Sequence, residues 1–279
     1  MCFVRPSQGS PANELDRDAH THTHAQTQRE IEMEKVMPSS SLATIPSTLR
    51  HRLLEFLLHA SSQLQCPPIV KYTALSFFAD RFLPSLRRKA RLLGERDGGS
   101  WLLDPPRESN LQLFALISLW ISSKLHDSRP LSVKSIKALG DNLITDQHFM
   151  TRDYAEAELV FMEVFGFDIG ASTIAFVFLE DLLIQFRELS KIGELLRFDV
   201  CMEIMDLLYE TEDVSALFSS PCSLAASILV TAYTISVPKQ RWEFPVLPWV
   251  TFVTSYDEDD IRRIVSCILR HVLKPETTE

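Results

Sequence analysis

The chain has 279 residues, 46% of them hydrophobic, enough to fill the cores of about two domains at ~100 to 200 residues each. Lys and Arg total 28 against 37 Asp and Glu, a formal charge of -9, which argues against a polyphosphate backbone as the main ligand. The cysteines Cys2, Cys66, Cys201, Cys222 and Cys267 are odd in number and widely spaced, so they give neither a disulfide framework nor a zinc pattern. They fit a reducing intracellular compartment, and neither a metal nor a cofactor is expected.

Residues 1–46 mix Pro, Ser, Thr and charges with a His-Thr alternation (His20, His22, His24) and show no apolar periodicity. Such a segment cannot bury surface and is expected to be a disordered tail. It lacks the apolar core of a signal peptide, and the most apolar stretch, 224–237, is too short and too dotted with Ser, Thr and Tyr to span a bilayer. A soluble protein of the nucleus, the cytoplasm or both is expected.

From there the pattern is helical. Leu49, Leu53, Phe56, Leu57, Ala60 and Leu64 recur at three- and four-residue steps, and Pro67 and Pro68 stop that helix. Val70, Ala74, Phe77, Phe78 and Phe82 predict a second helix ending near Pro84. The stretch 86–109 carries Gly94, Gly98, Gly99, Pro105 and Pro106 and reads as a loop; its Arg87, Arg88, Lys89 and Arg91 read as a solvated basic surface. Residues 111–125 (LQLFALISLWISSKL) are apolar nearly all round, the mark of a helix enclosed by others. Val133, Ile136 and Leu139 predict a fourth helix, and Ala157, Val160, Phe161, Val164 and Phe165 a fifth.

The order then repeats. Ser172 and Thr173 are expected to cap a helix through Ile174, Val177, Phe178 and Leu182, and Leu195, Phe198, Met202, Met205 and Tyr209 form the next stripe. Ser220-Pro221 is a helix start, and the run CSLAASILVTAYTIS behind it is again apolar on all sides. Each half thus places an enclosed hub helix third in order, about a hundred residues apart, which suggests a duplicated five-helix unit. Pro245 and Pro248 bracket an aromatic segment. Asp257, Asp259 and Asp260 open a last helix with the face Ile261, Ile264, Val265, Ile268, Leu269 and Val272, ended by Lys274-Pro275.

Residues 48–57 (TLRHRLLEFL), 79–83 (ADRFL), 111–124 (LQLFALISLWISSK) and 158–173 (ELVFMEVFGFDIGAST) resemble, in register, the landmarks of a cyclin box. WISSK, RDYAEAELVF, LEDLLIQF and SLAASILV fall in an order similar to that of plant J-type cyclins, so the resemblance covers all but the tail. It implies an all-α fold of two tandem five-helix repeats, a cyclin box at 47–170 and a second repeat at 171–275, behind the tail at 1–46. It also implies a non-catalytic subunit that binds and activates a cyclin-dependent protein kinase, in cell-cycle or growth control.

Residue by residue, the resemblance places Arg50 and Asp80 as a structural ion pair of the cyclin box. It makes Lys124 and Glu158 the charged groups that grip the kinase's main chain. Ser122, where a cyclin box usually has alanine, is expected beside them at the kinase contact, shifting partner choice. Arg52 occupies a position that is apolar in cyclins with a substrate-docking patch, and Phe56 replaces a tryptophan, so the resemblance implies a weakened docking patch.

Three other readings compete. A nucleic-acid scaffold of the same double fold conflicts with the acidic balance. An enzyme conflicts with eight glycines, none in a phosphate-cradling loop, and with the lack of any nucleophile grouping; no small-molecule substrate is expected. A cyclin-fold transcription or adaptor protein that activates no kinase is the third.

Overall fold

The computed structural model describes residues 45–86, 88, 100–103, 107–170, 173–211, 220–241 and 243–273. The expectations for residues 1–44, including His20, His22 and His24, lie outside the described residues, as do those for Arg87, Lys89, Arg91, Gly94, Gly98, Gly99, Pro105, Pro106, Ser172, Lys274 and Pro275. All described residues fall within one compact unit, Ile45–Glu279. Its regular elements are helices, with no strand among the described residues.

Helix α1 (Ser47–Gln63) turns Leu53, Leu54, Leu57 and Ala60 inward. It ends where Gln65 adopts a left-handed φ of 51° and Cys66 N–H reaches back to the Ser61 carbonyl. Pro68, at the first position of α2 (Pro68–Leu75), loses no helical bond there. The chain then widens into a π-helical stretch, Ser76–Phe82, in which Leu83 N–H bonds the Phe78 carbonyl five residues back. Helical structure continues from 83 to 86, so the expected end near Pro84 falls two residues further on, beyond the proline itself. A proline removes one N–H and crowds the preceding turn; the widened register meets both demands without ending the helix.

Helix α3 (Glu108–His126) is the hub of the first half. Residues Leu113, Phe114, Ala115, Leu116, Ile117 and Leu119 are fully buried, and α1, α2, α4 (Val133–Leu143) and α5 (Thr151–Val164) pack around it. Phe82 stacks on Phe161 at 4.6 Å and meets Phe114 at 4.8 Å, so one aromatic stack joins three helices. Ser132 caps α4 by accepting from Ser135 N–H, and the Asp153 carboxylate returns to accept from Met150 N–H at the start of α5.

A second enclosed helix lies in the C-terminal half. Helix α8 (Pro221–Ser236) is buried from Ser223 to Tyr233 and packs on α6 (Ala175–Leu189), α7 (Phe198–Glu210), α9 (Val246–Thr254) and α10 (Glu258–Val272). Ser220 caps α8 and Asp257 caps α10, as their sequence positions predict. At α6 the cap expected from Thr173 is corrected. Ile174 occupies the N-cap and no side chain bonds there, because the helix begins one residue later than the Ser-Thr pair suggests. The stripe of α7 also differs in detail: Leu195 is exposed on a short 3-10 turn, and Cys201, Ile204 and Leu208 join Met205 and Tyr209 inside. Contacts of α1 with α7 and of α2 with α6 tie the halves together.

Candidate partner-binding site

The apolar run of α3 ends abruptly. Ile121, Ser122 and Ser123 are buried, while Lys124, Leu125 and His126 emerge at the C-terminal turn, where a cation complements the helix dipole. On α5, Glu158 stands beside the buried Ala157 and Phe161 and therefore at the rim of the packed face. The two helices bring these groups together: Lys124 Nζ donates to Glu158 Oε1 at 2.5 Å, with side chains 39% and 29% exposed. Leu125 and Leu159, each next in sequence to one member of the pair, are 46% and 52% exposed. Charged groups flanked by open apolar surface make an edge suited to gripping another protein's main chain.

The Lys124 ammonium also lies 3.6 Å from the centroid of the Trp120 ring. Trp120 carries no functional expectation from sequence alone. Its signal is nevertheless in the chain, since Trp120 and Lys124 are four residues apart and share a helix face.

Ser122 is not part of this edge. Its side chain is fully buried and its hydroxyl donates to the Val70 carbonyl at 2.8 Å, tying α3 to α2. The expectation that Ser122 meets a partner is corrected accordingly. A hydroxyl in place of a methyl is accommodated here because a helix carbonyl on α2 accepts its proton.

The Arg50 charge acts on Asp80, and Tyr209 is bonded to both residues. Arg50 Nη1 donates to the Tyr209 carbonyl at 3.2 Å, and the Tyr209 hydroxyl makes a long bond of 3.5 Å to Asp80 Oδ2. Asp80 has two aspects: solvent reaches the residue, yet the protein packed around its carboxyl pushes its pKa up to about 6. The Ser76 hydroxyl, the Arg50 charge and Tyr209 pull it the other way. Burial outweighs these three, so the carboxyl is held above its ordinary range. Tyr209 belongs to α7, so the group spans both halves rather than the first alone.

Further polar ties cross the same seam. Lys71 Nζ donates to both Asp206 oxygens at 2.9 Å, and Tyr72 gives its hydroxyl proton to Asp206 Oδ1 at 2.9 Å. His51 Nδ1 lies 3.2 Å from the Glu210 carbonyl oxygen. Burial raises the Glu210 pKa, His51 opposes that shift, and Glu55 and Asp206 add to it. These partners are more than a hundred residues apart, and no local pattern announces them.

Among the described residues no three His, Cys, Asp or Glu side chains gather in a way that suits a metal ion, and no helix is long and apolar enough to cross a membrane.

The chain is similar to known proteins. Residues 18–170 match the family described as "Cyclin, N-terminal domain". The match begins upstream of α1, inside the stretch that the sequence analysis assigns to the tail. A rice (Oryza sativa subsp. japonica) protein, "Cyclin-J18-like", is 68% identical over 230 residues, covering 81% of this chain and 88% of the relative. "Cyclin-J18" of Arabidopsis thaliana is 56% identical over 225 residues, covering 81% of this chain and 95% of the relative. The crystal structure of a viral cyclin from herpesvirus saimiri shares the fold, with a TM-score of 0.60 at 15% identity over 82% of this chain and 86% of that one.

Proposed function

The chain belongs to the cyclin family and is most like the plant J-type cyclins, and on that premise we propose that it is a regulatory subunit that binds a cyclin-dependent protein kinase and switches it on, with no catalytic chemistry of its own. The observation that carries this reading is the Lys124–Glu158 pair, held at 2.5 Å on an open edge between exposed Leu125 and Leu159.

The activation step is a population shift. A protein kinase is competent when its regulatory helix delivers a glutamate to the ATP-binding lysine, so a partner that docks on the inward pose of that helix favours the active state. Moving such an equilibrium from 1:99 to 99:1 takes ~5.5 kcal/mol of differential affinity, within reach of an interface of ordinary size. Lys124 offers donors and Glu158 offers acceptors, the two requirements for main-chain carbonyls and amides at one loop.

The same proposal holds that residues 47–170 and 171–275 are tandem five-helix repeats, with hubs α3 and α8. It places the protein in the nucleus, the cytoplasm or both, acting in cell-cycle or growth control. Capture of plant cyclin-dependent kinases on the purified chain, followed by a kinase assay on the eluate, tests it. Phosphorylation that depends on the chain supports the proposal. A chain that captures kinase without raising its activity, or captures none, supports the adaptor reading instead.

A further inference from the structure

Trp120 stands one helical turn before Lys124 on α3, which brings the indole face beneath the lysine side chain. The ammonium is held at two points: 3.6 Å from the ring centroid, and 2.5 Å from Glu158 Oε1. The ring is itself fixed. Its Nε1–H donates to the Leu131 carbonyl at 2.9 Å, Leu131 N–H donates to Ser123 Oγ at 3.1 Å, and Ser123 donates to the Trp120 carbonyl at 2.7 Å. This closed circuit staples the segment after α3 to the turn that carries the lysine. A lysine stem of four carbons is otherwise free in solution and loses that freedom when a partner docks.

We propose that Trp120 is the positioning residue of the partner-contact site: its indole face orders the Lys124 ammonium against Glu158, so that a kinase main chain meets a formed charge pair. The inference rests on the reading of Lys124 and Glu158 as the kinase contact, and it adds a residue and a role to that reading. The ring attracts the cation through its quadrupole, which an aliphatic side chain of similar bulk lacks. Pre-ordering raises affinity because the rotamer entropy is lost before binding rather than during it.

The test uses the full chain. In the free protein, the ring current of Trp120 is expected to move the Lys124 ε-methylene resonance upfield, with Lys124→Gln providing the assignment. Trp120→Phe keeps a ring face and loses the bond to Leu131, so it should retain most of the shift; Trp120→Leu should abolish it. In kinase binding, Trp120→Leu is expected to weaken affinity roughly two- to tenfold, with Trp120→Phe recovering most of the loss. In a Lys124→Gln background, Trp120→Leu should have little further effect. Equal losses in both backgrounds overturn the proposal, because a ring that merely supports the fold acts whether or not the lysine is present. A Lys124 resonance at its ordinary position in the wild-type chain overturns it without recourse to any variant. If the wild-type chain shows the upfield shift yet captures no cyclin-dependent kinase, the functional reading fails, and the positioning role fails with it.

Discussion

Arg52 and Glu108 are joined by two parallel hydrogen bonds, Nε to Oε1 at 3.0 Å and Nη2 to Oε2 at 2.7 Å. They connect the exposed side of α1 to the first turn of α3, across the position that is apolar in cyclins with a substrate-docking patch. A guanidinium clamped in this way presents charge where an apolar docking segment needs oil-like surface. The proposed kinase complex is therefore expected to phosphorylate a substrate carrying an apolar docking segment no faster than the same substrate without it. A large ratio of kcat/KM between the two would sink the idea. Arg52→Leu should raise that ratio.

The Arg50, Tyr209 and Asp80 chain predicts a stability effect without a direct binding effect. Arg50→Ala removes the donor to the Tyr209 carbonyl and the charge that offsets Asp80, at a cost of about 1.5–3 kcal/mol. Tyr209→Phe should cost less, about 0.5–1.5 kcal/mol, because its bond to Asp80 is long. Urea unfolding measures both. Kinase affinity, measured at a temperature where each variant is fully folded, should match the wild type. A loss of affinity in folded Arg50→Ala would place that residue at the interface instead.

Asp80 makes the same seam sensitive to pH. Its folded pKa is raised from the ordinary 3.8 to about 6, so the fold favours the protonated form. That contribution is full below the unfolded value and is lost as pH rises through the folded one. The stability of wild type relative to Asp80→Asn should therefore fall between about pH 4 and about pH 7 and level off above. A difference that grows with pH would mean that Arg50 dominates and that the carboxyl is held down rather than up.

Legibility in the sequence divides along physical lines. The hubs α3 and α8 are visible because 111–125 and 222–236 have no polar face, and enclosure by neighbours accounts for that. Caps such as Ser220 and Asp257 are visible because capping is local chemistry. Lys124 and Glu158 stand out through resemblance rather than spacing, since a lysine at a helix end and a glutamate on a helix rim are ordinary. The seam formed by Lys71, Tyr72, Asp206 and Tyr209 is invisible: each residue reads as the polar margin of its own helix, and only folding joins Lys71 and Tyr72 to Asp206 across more than 130 positions. The π-helical stretch before Pro84 is likewise hidden, because the 3.6-residue stripe of Val70, Ala74, Phe77 and Phe78 hardly changes when one turn widens.

Gly140 marks a packing limit at the crossing of α4 and α5. A Cβ at that position would lie 2.1 Å from the Tyr154 hydroxyl and 3.2 Å from Leu116 Cδ1. Tyr154 is fully buried, and its hydroxyl has no protein partner among the described residues, so it has nowhere to move. Gly140→Ala should cost about 1–3 kcal/mol by overpacking, against the usual gain of alanine in a helix. Tyr154→Phe should be neutral or stabilising, since it removes an unpaired buried polar group. The double variant should recover most of the loss. Strict additivity in thermal melts would show that the clash lies elsewhere.

Lys124 and Glu158 lie on one open edge, and their role at that edge is separable from their role in the fold. They are bonded to each other at 2.5 Å, but both side chains are in contact with solvent. An ion pair of this exposure contributes no more than ~1 kcal/mol to stability, so Lys124→Ala and Glu158→Ala should leave the helical signal and Tm nearly unchanged. Binding is another matter. On the proposed kinase contact, each charge is removed from water and satisfied by main-chain groups, and deleting one leaves those groups unpaired at a cost of ~2 to 5 kcal/mol. Kinase affinity should therefore fall by more than tenfold in either variant, by calorimetry or surface capture, with most of the change in the dissociation rate. The double variant should lose less than the sum of the two single losses, because the partners are coupled through their own bond. Variants that bind and activate the kinase like the wild type would show that these residues form only an intramolecular pair, and the kinase contact would then have to be sought elsewhere on the chain.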